Sequence, residues 1–117
     1  MRALIDGVER NTGLSLFKGA DDVLRVTLLG DRGEVVDLTA DTVFGLEVQN
    51  SKSRSDTPVK TIQGALVGTG DGGHFTVTVD PTIMDFAVGT YYVFVSRTEN
   101  VSGDINYADG YATLQVV

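Results

Sequence analysis

His74 is the only histidine of the chain, and there is no cysteine. Imidazole catalysis or a metal centre would draw on a partner for it, and the chain offers no second histidine or cysteine. Asp80, Asp85, Asp104 and Asp109 are the carboxylates that could converge on a cation, but they lack the spacing of a calcium loop and read as surface acidity. The remaining acidic residues are scattered, without the paired motif of carboxylate acid–base chemistry. Gly68-Thr69-Gly70-Asp71-Gly72-Gly73 is glycine-rich. It lacks the lysine and the following helical pattern of a phosphate-binding loop, and it precedes an alternating stretch, so it reads as a hairpin connection. These residues point to no catalytic group, no cofactor and no metal. What remains is the chemistry of contact. Leu4, Ile5 and Val8 at the N-terminus, with Tyr92, Phe94, Tyr107 and Tyr111 later in the chain, are the candidate partner-binding side chains. Tyrosine supplies contact area at low entropic cost, and three aliphatic residues are too few to make a core of their own.

The elements that must position these residues are strands. Leu24, Val26 and Leu28 alternate with Arg25 and Thr27, and Phe44, Leu46 and Val48 alternate with Gly45 and Glu47. Such period-2 patterning predicts strands over 22–29 and 42–49, joined through a turn at Gly30–Gly33 and an apolar plug, Leu38. Thr39 and Asp41 are cap or Asx-turn formers, and Asp37 is placed to bond the backbone of its own turn. Further strands are predicted over 14–17, 59–67, 74–80 and 88–96, with closing strands from Ile105 to Val116. Pro81–Phe86 reads as one helical turn. Asn50–Pro58 is a polar loop; Lys52 and Arg54 make it a solvated tip or a contact for an acidic surface. Phe44, Leu46, Tyr91, Val93 and Val95 are expected in the core. The stretch Tyr91–Ser96 is apolar on both faces, so its second face needs a cover: the N-terminus, a loop or a partner. Residues 1–13 read either as a terminus packed on the sandwich edge or as an arm on a neighbouring subunit, with the domain proper over 14–117.

The chain has 117 residues, a size for one domain, and a formal net charge of −7. That charge argues against a nucleic-acid-wrapping or polybasic membrane surface. No apolar run has the length of a transmembrane helix, and the first residues hold no apolar signal core, so a protein made in a cytosol is expected. The whole predicts an all-β, immunoglobulin-like antiparallel β-sandwich of about seven or eight strands. Gly89-x-Tyr91 at the head of a strand resembles the tyrosine corner of that fold.

Several of these pieces occur in one order. Phe17-x-Gly19, Asp21-Asp22 with its strand, Gly33, Val36-Asp37-Leu38-Thr39 and the strand at Val43 are followed by Gly73-x-Phe75-x-Val77 and Gly89-x-Tyr91. Over residues 14–117 this resembles the N-terminal immunoglobulin-like domain of phage baseplate upper proteins. The resemblance implies a structural protein of a tailed-phage virion, located on the capsid exterior or the tail baseplate. Because the chain ends when its sandwich is complete, a capsid decoration (cement) protein is expected, bound to the major capsid protein or another virion protein and self-associated as a trimer or dimer. A baseplate or fibre-attachment adaptor and a bacterial adhesion or carbohydrate-binding module are the alternatives.

Overall fold

The computed structural model describes residues 1–6, 8–9, 14–16, 22–41, 43–55, 57–79, 87–100 and 102–116. Eleven strands occur among them: β1 (Arg2–Ile5), β2 (Val8–Glu9), β3 (Leu14–Leu16), β4 (Asp22–Leu29), β5 (Val43–Gln49), β6 (Lys60–Gln63), β7 (Ala65–Leu66), β8 (His74–Val79), β9 (Gly89–Thr98), β10 (Ile105–Tyr107) and β11 (Ala112–Val116). They form two sheets. The first has the order β2-β1-β4-β8-β7; the second has β3-β11-β9-β5-β6, with β10 also paired to β9. Pairing is antiparallel except between β3 and β11, which run parallel. The first part of the chain thus pairs with β4 in one sheet, and β3 then joins the last strand in the other. With β1-β4-β8-β7 facing β11-β9-β5-β6, this is the strand order of an immunoglobulin-like sandwich.

The alternation read from the sequence is what closes the core. Leu24, Val26 and Leu28 of β4 and Phe75, Val77 and Val79 of β8 face inward from the first sheet, and Phe44, Leu46, Val48, Tyr91, Val93 and Val95 from the second. All five residues expected in the core are buried there. Leu38 is fully buried as the plug between β4 and β5, its backbone N–H donating a hydrogen bond to the Gly70 carbonyl at 2.9 Å. The tyrosine corner is present: the Tyr91 hydroxyl donates to the Ala87 carbonyl at 2.6 Å. Val93, two residues on, is buried where antibody domains place a disulfide cysteine. Aliphatic packing does the work of that bridge here. Tyr91→Phe keeps the packing and removes the bond, so it should cost about 1 kcal/mol in denaturant unfolding; a loss under a few tenths would make the corner ornamental.

Two expectations change. The stretch 59–67 is not one strand but two, in different sheets. Gly64 carries the chain across the Phe44–Phe75 ring pair (centroids 5.1 Å apart), and a Cβ on Gly64 would stand 2.5 Å from the Phe75 ring. This split and the two strands β1 and β2 within residues 1–13 raise the count from seven or eight to eleven among the described residues. Second, the described N-terminal residues are part of the sandwich itself. β1 lies between β2 and β4, with Ala3 and Ile5 in the core. The domain therefore begins before Leu14. The helical turn read at Pro81–Phe86 falls outside the described residues. Among the described residues no helix is long and apolar enough to cross a membrane.

Candidate functional site

Strand β9 sits at the centre of the second sheet and is apolar on both sides. Its inner side chains fill the core; its outer ones are Tyr92, Phe94, Ser96 and Thr98. Cross-strand pairing sets their neighbours. Tyr92 lies opposite Thr113 and Gln49, Phe94 opposite Glu47, Ser96 opposite Gly45 and Tyr107, and Thr98 opposite Val43 and Ile105. Tyr111 stands edge-on to Tyr92 (5.3 Å, 86°) and tilted on Phe94 (6.0 Å, 53°). Phe94 is thereby reduced to 8% exposure, while Tyr92 and Tyr111 remain half-exposed.

A loop covers part of this face. Arg54 stacks its guanidinium carbon 3.9 Å from the Tyr107 ring centroid, donates to the Tyr107 hydroxyl, and brings Nε within 3.4 Å of the Glu47 carboxylate. In this row Ser96 lies between Gly45 and Tyr107. A Cβ on Gly45 would stand 2.0 Å from the Ile62 carbonyl oxygen, so this strand position stays bare. The Gln49 amide donates to the Ser55 carbonyl at 2.8 Å and to Glu47. Glu47 and Gln49 are buried beneath the loop, and the contacts with Arg54 and Ser55 compensate their loss of water. The covering element asked for by the two-faced strand is thus, over this half, the 50–58 loop. Arg54 is engaged within its own chain, and the expected basic contact for an acidic partner loses its main residue.

At the sheet's end lies an ion pair. Arg97 donates from Nε to Asp41 Oδ2 at 2.6 Å and from Nη2 to Oδ1 at 3.2 Å, and its Nη1 is 3.5 Å from Glu99. Bonding to Asp41 holds the Arg97 guanidinium above its ordinary value. A cleft of about 330 Å³ opens beside it, lined by Asp37, Thr39, Asp41, Glu99 and Ser102 among others. The Thr39 hydroxyl and amide both donate to Asp37 Oδ1, at 2.5 and 2.9 Å, and hold that carboxyl below its ordinary range. The turn's stabilisation therefore stands above the usual carboxylate range and is lost as pH falls through the lowered value.

On the first sheet, the exposed His74 bonds through Nδ1 to the Thr27 hydroxyl at 2.8 Å. It lines a cleft of about 380 Å³ with Asp6, Arg25 and Val67. No carboxylate is hydrogen-bonded to His74 among the described residues, so nothing there orients the ring as a base. No group of three or more metal-ligating side chains occurs among them either. Asp104 and Asp109 are exposed, and Asp80 and Asp85 fall outside the described residues.

Of the seven candidate contact residues, the fold gathers four on the outer face of the second sheet: Tyr92, Phe94, Tyr107 and Tyr111. Leu4 and Ile5 belong to the first sheet. Ile5 is 3% exposed, opposite Val26, and cannot also bind a partner; Leu4 is half-buried on the far side of β1. The side chain of Val8 lies outside the described residues. The residues missed by sequence reasoning are Glu47, Gln49, Asp41 and Arg97. A carboxylate at an outward strand position, seven residues before an arginine in the next loop, was the one available signal for Glu47.

No protein-family profile and no curated protein matches the chain. Among solved structures it is similar to domains 4 and 5 of the S-layer protein SbsC (TM-score 0.44, 20% identity, covering 100% of this chain and 51% of that one). It is also similar to the N-terminal Ig1-2 module of the Drosophila receptor protein tyrosine phosphatase DLAR (TM-score 0.40, 17% identity, 100% and 50%). The chain spans about half the length of each. The fold assignment rests on the strand order above, and what those proteins do is said of them alone.

Proposed function

We propose that this chain is a structural module that works by protein–protein contact through the outer face of its second sheet. The observation that carries the reading is the gathering of Tyr92, Tyr107 and Tyr111, all half-exposed, on the face of one central strand. Tyrosine there offers rigid, amphipathic contact area. The order Val36-Asp37-Leu38-Thr39, Gly73-x-Phe75 and Gly89-x-Tyr91 supports a place in a phage virion, as a capsid decoration protein or a baseplate or fibre-attachment module. Its partner there is the capsid protein, another virion protein or a second copy. A surface adhesion module is the second reading, and the same half-buried tyrosines favour it. A carbohydrate platform fits less well. The 86° between the Tyr92 and Tyr111 rings gives no shared plane on which a sugar chain could lie flat.

The test is the double variant Tyr92→Thr/Tyr111→Gln. It should keep its circular dichroism spectrum and cooperative unfolding, and lose occupancy on its native particle or surface, or lose self-association in sedimentation. If both the fold and all association stay unchanged, the contact lies elsewhere.

A further inference from the structure

The outer face of the second sheet is unevenly covered. Its middle is partly covered by the chain's own Arg54 loop. Its far row, Val43–Thr98–Ile105, is open: Val43 is 53% exposed and Ile105 is 55% exposed, one on each side of Thr98. Two large aliphatic side chains in register across three strands form a small apolar strip rather than scattered surface residues.

The rim of that strip is acidic. Glu99 follows Thr98, Asp104 precedes Ile105, and Asp37 and Asp41 lie in the loop leading to Val43. The turn carrying the first two is fixed, since the Glu99 amide bonds the Asp104 carbonyl at 2.9 Å and the Ser102 hydroxyl bonds the Glu99 carboxylate at 2.9 Å. Asp41 is spent on Arg97, and Glu99 shares that guanidinium at 3.5 Å. Four carboxylates against one guanidinium leave the rim with a clear negative excess, in a chain whose own net charge is −7. A second acidic copy is repelled from such a rim, and a basic partner is drawn to it.

Resting on the contact reading above, we infer that the Val43–Thr98–Ile105 row, rimmed by Asp37, Glu99 and Asp104, docks a basic polypeptide segment of a partner protein. The segment sets an apolar side chain on the row and a lysine or arginine at the rim. Its backbone lies across the ends of β5, β9 and β10, where the 50–58 loop does not reach. The apolar strip holds the segment, and the carboxylates select its charge and speed its approach.

The probe is a capped synthetic peptide alternating lysine and valine, titrated into the isotope-labelled full chain and followed by amide NMR shifts. Matched controls alternate glutamate with valine and lysine with serine. The lysine–valine peptide should move Val43, Thr98, Glu99, Asp104 and Ile105, and both controls should leave them in place. Val43→Thr/Ile105→Thr keeps β-branched residues in the strands and should weaken binding about tenfold. Glu99→Gln/Asp104→Asn should remove most of the salt dependence. Equal binding of the glutamate–valine peptide, absence of binding, or shifts mapped to His74 and the first sheet would overturn the inference. Shifts centred on Tyr92 and Tyr111 would overturn it too, while leaving the contact reading intact.

Discussion

Deleting residues 1–5 is expected to abolish cooperative folding. Ala3 and Ile5 are core residues of the first sheet, and β1 pairs with β4 from Arg2 opposite Leu29 to Ile5 opposite Val26. Truncating a buried isoleucine to alanine alone costs about 2–5 kcal/mol. The deletion removes that side chain, Ala3 and the partly buried Met1, and it leaves Val26 and Leu28 open on one side. Small domains have only about 5–15 kcal/mol to lose. The Met1 ammonium, 2.7 Å from Asp31, goes as well. The truncated chain should show no thermal transition and should bind a hydrophobic dye. A cooperative transition within a few degrees of the intact chain would return these residues to the status of an arm.

Asp41→Ala is the second large effect. The Asp41 carboxylate takes both forks of the Arg97 guanidinium, with side-chain exposures of 3% and 15%. Removing one partner of such a pair leaves a charge with little water and no counter-ion, which costs about 3–5 kcal/mol. The lower end applies, because Arg97 keeps Glu99 at 3.5 Å and some access to solvent. Denaturant unfolding should show a loss of about 3 kcal/mol, and Asp41→Ala/Arg97→Met should recover part of it by removing both charges. A loss under about 1 kcal/mol would mean that the pair is solvated like an ordinary surface bridge.

The contrast between these sites shows what the sequence can reveal. β4, β5 and β9 were legible because long alternation is bounded by turn residues, and Tyr91 because its corner is local: donor and acceptor are four residues apart. The Asp41–Arg97 pair spans 56 residues and the Arg54–Tyr107 stack 53, so no spacing rule finds them. β1 was obscured by Gly7 and by Leu4, whose apolar side chain blurs the alternation of Ala3 and Ile5. The crossing at Gly64 was hidden because each half of 59–67 reads as a strand; the reason to change sheets is the Phe44–Phe75 pair beneath. The aromatic side of the contact face could be named from the sequence. Its charged half could not, since Glu47 on an alternating strand looks like any wet-face residue.

The central claim is that the outer face of the second sheet is the contact face. The measurement that tests it most directly compares the free chain with the chain in its intact native assembly, by mass spectrometry after tyrosine nitration and diethylpyrocarbonate labelling. Tyr92, Tyr107 and Tyr111 report on the second sheet, and His74 on the outer face of the first. Nitration of the tyrosines should fall sharply on assembly while His74 reacts as in the free chain. Unchanged nitration with His74 protected would contradict it and move the contact to the opposite face.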